Sequence, residues 1–521
     1  MARPAQGAAG AGNGSGTRVF TPQSLNAYVW SICDILRRSN CAGVLQYVPE
    51  LTWILFLRIL DEREQEEQQR AQAVGASFTP SLVPPYRWCD WAAPDGPKRR
   101  ELQDGALGAF FGFVNGELIP YLTALRDGPI ATPRQKIISE IMTGIERTRV
   151  DTEKNFLDVL DKVDAIRGAN VDTDHVFAIS QVYEGLLLRM GEKNNDGGQF
   201  FTPRPIIRAM VQVVDPRPGE SVYDPCCGTA GFLVQAFEHM QAALPPEATG
   251  RDVEILGRKC LYGREKENLI YPIALANMVL HGVDDPHIWH GNTLTGAETY
   301  GGLFQGTPEL HDVVLTNPPF GGKENKDAQA SFEYKTGATQ ILFLQHVMRS
   351  LKRGGRCGIV VDEGVLFRTN ESGFLETKKK LVNEYDLWCI VSLPPGAFVG
   401  AGAGVKTNLM FFNRPREAED ATKAVWYYDM SDLKVGKKAP FTLDRLQEFF
   451  RFLPFRGNSE RSWTVSVEAL RARNYDLKAV NPNAKAEQDG RTPEQLLDLI
   501  EAKGQEAREA VVRLRQMTSR P

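Results

Sequence analysis

Ser221-Val222-Tyr223-Asp224 runs into Pro225-Cys226-Cys227-Gly228-Thr229-Ala230-Gly231, and a helical pattern opens at Phe232-Leu233. A β-rich run, a glycine-containing loop and a helix make one βα unit. Its texture repeats downstream. Further candidate strands are Cys260–Gly263, Asp312–Thr316, Cys357–Val361, Leu387–Leu393 and Thr407–Asn413, with helices such as Phe232–Met240 and Gln340–Leu351 between them. From about residue 196 onward this alternation predicts an α/β fold with a mostly parallel, doubly wound sheet. Such sheets bind ligands at the carboxyl ends of their strands, and the chemically distinctive residues fall at those ends.

The loop after Asp224 places Gly228, Thr229, Ala230 and Gly231 at a helix N-terminus, where backbone can pass close to a cofactor. It lacks the Gly-x-Gly-x-x-Gly spacing of a dinucleotide site, and an ordinary tight strand-to-helix turn is the plainer alternative. The next strand ends in Tyr262-Gly263-Arg264-Glu265, and Glu265 is placed to accept hydrogen bonds from both hydroxyls of a ribose. Upstream, Gln199-Phe200-Phe201-Thr202-Pro203-Arg204-Pro205 precedes a helix at Ile206, with Thr202 as a candidate cap and Pro203 in the first turn.

Asp312-Val313-Val314-Leu315-Thr316 leads directly into Asn317-Pro318-Pro319-Phe320. A tetrapeptide of this type arises by composition in roughly one chain of this size in a hundred. It suits the activation of an exocyclic amino group such as that of adenine. That nitrogen is a poor nucleophile because its lone pair is delocalised into the ring. Two acceptors aimed at its two N–H bonds, the Asn317 side-chain oxygen and the Pro318 carbonyl, favour the pyramidal geometry that frees the lone pair. Consecutive prolines fix φ, so the carbonyl direction is set in advance. Phe320 offers a face for the base. The competing account is a rigid turn with Phe320 in the core.

The flanks differ from this central block. Residues 1–17 are Ala-, Gly- and Ser-rich and are expected to be disordered, with no signal peptide. Thr21-Pro22 reads as a helix start, followed by Leu25, Tyr28, Val29, Ile32, Ile35 and Leu36 at helical spacing. A second helix over about 47–70 is apolar at first and ends in the charged run 61–67, expected to be a solvated face. Residues 75–100 read as an irregular Pro- and Trp-rich loop. Near the end, Leu496, Ile500, Ala507, Val511 and Leu514 form the apolar stripe of an amphipathic helix, which must cover that stripe with its own domain or with a partner.

Composition excludes several classes. With 42% hydrophobic and 24% charged residues the chain is an ordinary globular protein. Its most apolar stretch, Leu51 to Leu60, is too short to span a bilayer, so a cytoplasmic location is expected. The 8 cysteines include no Cys-x-x-Cys pair and are expected to be reduced thiols, with no metal site. Gly400–Thr407 imitates a P-loop, but Val405 stands where the second glycine is required. A net charge of −4 is unusual for a chain that must hold nucleic acid by itself.

In their order, Gly198–Pro205, Asp224–Leu233, Gly263–Glu265 and Asn317–Phe320 resemble the adenine-N6 DNA methyltransferases that place the cofactor region ahead of the catalytic region. More closely, the chain is similar to the modification subunits of type I restriction-modification systems from about residue 20 to its end. Supporting segments include Ala276-Asn277-Met278, Leu280-His281-Gly282, Leu393–Phe398, Lys406-Thr407-Asn408 and Arg473-Asn474-Tyr475-Asp476-Leu477. The resemblance implies a sheet that binds S-adenosylmethionine. Cofactor contacts would come from Gln199, Phe200, Phe201, Thr202, Pro203, Arg204, Asp224, Gly228, Thr229, Ala230, Gly231, Glu265 and Asn292, and adenine contacts from Asn317, Pro318, Pro319 and Phe320. The family commonly has Asp where this chain has Asn292, which can still accept a hydrogen bond.

The same resemblance implies double-stranded DNA as substrate, with the target adenine flipped out of the stack. It also implies two copies of the chain around a specificity subunit that reads the sequence, and a restriction subunit that joins them. The expected organisation is a tail (1–17), a helical domain (18–170), a catalytic domain (171–480) and a C-terminal helical tail (481–521) that meets the specificity subunit. Two other readings stay open. The same chemistry could serve a protein glutamine or an RNA adenine, although Phe320 in place of Tyr and the large helical domain argue against it. The chain could also be a scaffold that binds no cofactor, which an intact Asn317 and Glu265 oppose.

Overall fold

The computed structural model describes residues 22–41, 43–166, 202–398, 406–436, 439, 441–478, 480–483 and 492–518. Expectations for residues 1–17, for Gln199, Phe200 and Phe201, and for most of the P-loop look-alike lie outside these residues.

The described N-terminal part is helical from Pro22–Arg38 to Glu153–Asp164. Its centre is the 30-residue helix Val44–Ala73. Leu51, Trp53, Ile54, Leu55, Phe56 and Leu57 are all buried, so this helix is apolar around its circumference where it crosses the core. The charged run that follows departs from the expected solvated face. Glu64 is buried and accepts from the Ser81 amide at 2.9 Å, and Arg134 bonds Glu67 at 2.8 and 3.0 Å. Arg63 reaches Asp284, beyond the helix Tyr271–Leu280, at 2.9 Å. The run is therefore a charged seam between the helical part and the sheet. Residues 75–100 are also more ordered than expected. They fold into the short helices Trp88–Trp91 and Pro97–Gln103. Trp88 and Trp91 plug the helical core, and Trp88 donates to Asp164 at 2.8 Å.

Ten strands form one sheet: β1 (Val222–Asp224), β2 (Leu261–Glu265), β3 (His287–Asn292), β4 (Ala297–Tyr300), β5 (His311–Thr316), β6 (Leu351–Asp362), β7 (Asp386–Ser392), β8 (Thr407–Asn413), β9 (Ala424–Asp429) and β10 (Ser462–Ser466). Their spatial order is β10-β9-β7-β8-β6-β5-β1-β2-β3-β4. β3, β2, β1, β5 and β6 are parallel, and β8 runs antiparallel between β6 and β7. From β1 the chain builds outward through β2 and β3, then crosses to β5 and β6. The order thus reverses between β1 and β5, which makes a cleft at their carboxyl ends.

Side chains alternate between two cores, as period-2 geometry demands. Val222, Val313, Leu315, Leu409 and Phe411 join the core shared with the N-terminal helices and with the helices Arg204–Val214 and Gly231–Ala242. Tyr223, Val314, Met410 and Phe412 face the core under the helices Thr339–Ser350 and Ser372–Glu384. With both faces covered, the central strands are continuous apolar runs. All eight cysteines are free, and among the described residues no helix is long and apolar enough to cross a membrane and no metal-ligating cluster occurs.

Candidate active site

The reversal point opens into a cavity of about 390 Å³, walled by the ends of β1, β2, β3 and β5. This is the size of an ordinary small-molecule site. Of the residues singled out in the sequence, Thr202, Arg204, Asp224, Gly228, Thr229, Gly231, Glu265, Asn292, Asn317, Pro319 and Phe320 line it. Pro203, Ala230 and Pro318 adjoin lining residues but are not themselves part of the lining.

Asp224 ends β1 in full burial. It accepts from the Thr316 hydroxyl at 2.7 Å and the Cys226 amide at 3.2 Å, and so ties the end of β1 to that of β5. Burial outweighs these bonds and pushes its carboxyl up to about 7. The loop then turns through two left-handed residues, Gly228 (φ 54°) and Ala230 (φ 63°). The second is strained for a residue with a Cβ. Two side chains hold the loop from outside: Asn277 donates to the Thr229 carbonyl at 2.7 Å and Thr293 to the Pro225 carbonyl at 2.6 Å. Gly231 leaves room for the Arg204 guanidinium, which a Cβ there would meet at 2.5 Å. The helix N-terminus and the Arg204 charge thereby close one end of the cavity.

Glu265, at the end of β2, is buried beneath the loop. One carboxylate oxygen accepts from the Gly228 amide at 2.9 Å, and the other from the Lys266 and Glu267 amides, each at 2.8 Å. Burial still raises this carboxyl to about 7. Asn292 differs from its expected use. Its oxygen already accepts from the Leu294 and Thr295 amides at 3.0 and 3.3 Å, closing the turn after β3. What Asn292 brings to the cavity is its NH₂ donor rather than an acceptor.

Asn317 follows β5. Its Nδ2 donates to the Thr202 hydroxyl oxygen at 3.0 Å, while its Oδ1 is buried and, among the described residues, without a partner. Thr202 was expected to cap the next helix. Instead Pro203 is the N-cap of Arg204–Val214, its carbonyl accepting from Ile206 and Ile207 at 2.9 and 3.2 Å, and the Thr202 side chain is turned to Asn317. Phe320 is half-buried and stands edge-on to the buried Phe398, with ring centroids 5.6 Å apart. Gly321 and Gly322, both left-handed at φ 75° and 83°, turn the chain away immediately after that ring.

Sequence reasoning missed Thr316, Thr293, Arg264 and the role of Asn277. Asn277 had a signal, being the one strongly polar residue in the otherwise buried helix Tyr271–Leu280. The cavity fits S-adenosylmethionine: a carboxylate at Glu265 for a ribose and a cationic guanidinium at Arg204, beside a helix N-terminus, for a carboxylate.

Comparison with known proteins agrees with this geometry. Residues 174–490 match the family described as N-6 DNA Methylase, and residues 25–130 match the HsdM N-terminal domain. The methylase subunit of the type I restriction enzyme EcoEI from Escherichia coli is 31% identical over 496 residues, covering 91% of this chain and 93% of that one. A modification subunit of a putative type I restriction enzyme from Vibrio vulnificus YJ016 superposes with a TM-score of 0.74 at 33% identity, covering 89% of this chain and 98% of the other. A chain from a structural study of assembly and conformational transition in a type I R-M system gives a TM-score of 0.73 at 37% identity, covering 96% and 100%. The chain therefore belongs to the N-6 DNA methylase family, among the methylase subunits of type I restriction enzymes.

Proposed function

We propose that this chain methylates N6 of an adenine flipped out of double-stranded DNA, using S-adenosylmethionine, as the modification subunit of a type I restriction-modification complex. The observation that carries this reading is Asn317, which lines the Glu265 cavity and whose Oδ1 has no partner among the described residues. A buried acceptor left without a donor costs about 1–3 kcal/mol, and here an incoming amino group would satisfy it. The Pro318 carbonyl takes the second N–H, and Phe320, braced by Phe398, stacks on the base. S-adenosylmethionine supplies a methyl carbon on a sulfonium, an electrophile that needs no strong base in the protein. Asn317 and Pro318 hold the amine pyramidal and aligned, and the N6 proton is lost to solvent after transfer. Asp224 serves this proposal as a structural tie rather than a base, its Oδ1 accepting from both Thr316 and Cys226.

Labelled methyl transfer to unmodified genomic DNA, with product nucleosides identified by mass, tests the reading. N6-methyladenine formed only when a specificity subunit is co-expressed supports the whole proposal. N6-methyladenine from this chain alone keeps the chemistry and removes the partner. Label in protein or RNA but not DNA overturns it.

The partner assignment has its own support. The helix Pro493–Thr518 leaves Leu497, Ile500 and Val511 exposed at 61%, 66% and 49%. A stripe that the chain's own domain does not cover suits a subunit interface, and a specificity subunit that carries the sequence reading explains how a chain of charge −4 acts on DNA. In this proposal the complex holds two copies of the chain, admits a restriction subunit and works in the cytoplasm. Deleting 491–521 is expected to shift the melting temperature by less than about 2 °C and to abolish co-purification with the specificity subunit. A collapse in melting temperature would return the helix to the chain's own core.

A further inference from the structure

We propose that Asn277 is a positioning residue for the cofactor: by donating to the Thr229 carbonyl it holds the peptide unit between Thr229 and Ala230 in the strained orientation that shapes the loop for binding. The inference rests on the reading of the cavity as the S-adenosylmethionine site. The bond has one possible direction, since a backbone carbonyl can only accept and the Asn277 amide meets it at 2.7 Å through Nδ2. The N–H of the same peptide unit, on Ala230, donates to the Cys227 carbonyl at 2.8 Å. The unit is thus pinned at both ends. Its orientation puts Ala230 in the left-handed region, at φ 63° and ψ 25°, which is strained for a residue with a Cβ. Turning the unit over would let Ala230 relax and would point the Thr229 carbonyl away from Asn277. Ala230 is the N-cap of Gly231–Ala242, and Thr229 and Gly231, on either side of it, line the cavity. A flip there would move the cavity wall and the first turn of that helix together.

Asn277 is otherwise a poor choice for its place. It is fully buried within the apolar helix Tyr271–Leu280, and its Oδ1 has no partner among the described residues. A buried acceptor without a donor is destabilising, so an aliphatic side chain would serve the helix better. What the asparagine supplies is the donor to Thr229. The helix is a firm base for that donor, packed on Val44–Ala73 and Pro133–Ile141 on one side and on Gly231–Ala242 on another.

The test is a double-mutant cycle read by calorimetric titration of S-adenosylmethionine. Asn277→Leu is expected to weaken binding by roughly 10-fold, because the competent loop becomes a minority state. In an Ala230→Gly background the left-handed conformation carries no strain. There the same substitution should weaken binding by less than about threefold relative to Ala230→Gly alone. Thr293→Val removes the bond to the Pro225 carbonyl, away from Ala230, and should weaken binding by the same factor in both backgrounds. At saturating cofactor, single-turnover methyl transfer by Asn277→Leu, with a specificity subunit present, should return to within about threefold of wild type, since the cofactor selects the competent loop. Unchanged affinity in Asn277→Leu overturns the proposal. So do a loss that Ala230→Gly leaves as large, a Thr293→Val loss that Ala230→Gly lessens equally, and a rate deficit that persists at saturation. Asn277→Ala runs the same cycle should the leucine variant fail to fold. A failure of both to fold that Ala230→Gly does not restore makes Asn277 a core residue and overturns the proposal as well. If wild-type protein binds no S-adenosylmethionine, the reading of the cavity fails instead, and the two failures are distinct.

Discussion

Asn317→Ala is expected to slow methyl transfer by about 10²–10³-fold or more while leaving S-adenosylmethionine affinity within about threefold, the size of effect seen when one preorganised group facing developing charge is removed. The amine must give up conjugation with its ring before it can attack, and the protein assists by taking both N–H bonds. With Oδ1 gone only the Pro318 carbonyl remains, and one acceptor does not hold the pyramidal geometry. The cofactor surfaces at Glu265, Gly228 and Arg204 are built from other strands and loops, so their affinity should persist. A second signature follows from the burial of Oδ1 without a partner. Removing an unsatisfied acceptor relieves a penalty that offsets the lost bond to Thr202, so the melting temperature of Asn317→Ala should change little. Asn317→Asp keeps an acceptor and should sit between wild type and alanine. Single-turnover transfer with calorimetric cofactor binding checks all three statements. A large loss of affinity in Asn317→Ala would make the residue part of the cofactor shelf.

The sheet was legible in the sequence wherever a strand is buried on both faces. β1, β2, β5, β6, β7 and β8 are mainly apolar runs that end in a polar residue, Asp224, Glu265, Thr316, Asp362, Ser392 and Asn413, and each was expected within a few residues of its place, except that β6 starts earlier, at Leu351. β3 was not, because His287, His290, Gly291 and Asn292 break its apolar pattern. Those residues serve local bonds: His287 to the Leu303 carbonyl at 2.9 Å, and Asn292 in closing its turn. β9 carries an aromatic run but follows β8 without an intervening helix, and strand alternation with helices gives no signal there. β10 is held chiefly by its antiparallel register with β9.

Within the site, motif residues at strand ends were readable because their chemistry is unusual. Their supports were not. Thr316 to Asp224, Asn277 to Thr229 and Thr202 to Asn317 join positions 48 to 115 residues apart. Only folding brings them together, and a threonine or asparagine in isolation has many ordinary uses. The charged run at 61–67 misled for the same reason: its partners Arg134 and Asp284 come from elsewhere in the chain.

Glu265→Ala is expected to weaken S-adenosylmethionine binding by roughly 10-fold, the loss of one hydrogen bond to a charged acceptor at about 1.5 kcal/mol, since the Gly228, Lys266 and Glu267 amides already take three of the carboxylate's four acceptor positions. The pH dependence of binding gives this prediction its sign. Burial holds the Glu265 carboxyl at about 7 despite three amide donors, against an ordinary value near 4. In the free protein the raised carboxyl destabilises the fold progressively as pH rises from about 4 to about 7, and by a constant amount above that. Ribose hydroxyls donate to the ionised form, so binding pulls the carboxyl down and releases a proton. Wild-type affinity should therefore be flat above about pH 7 and fall as pH drops below it, by up to about tenfold per unit. Proton release should appear as a dependence of calorimetric enthalpy on buffer ionisation. Glu265→Gln should bind more weakly than wild type at neutral pH and lose the slope that Glu265 contributes; any slope that persists belongs to Asp224, the other cavity carboxyl near 7. Unchanged affinity in Glu265→Ala would move the ribose contact elsewhere. A wild-type affinity that instead falls as pH rises above about 7, with a weak alanine variant, would mean that the contact is made to the neutral acid.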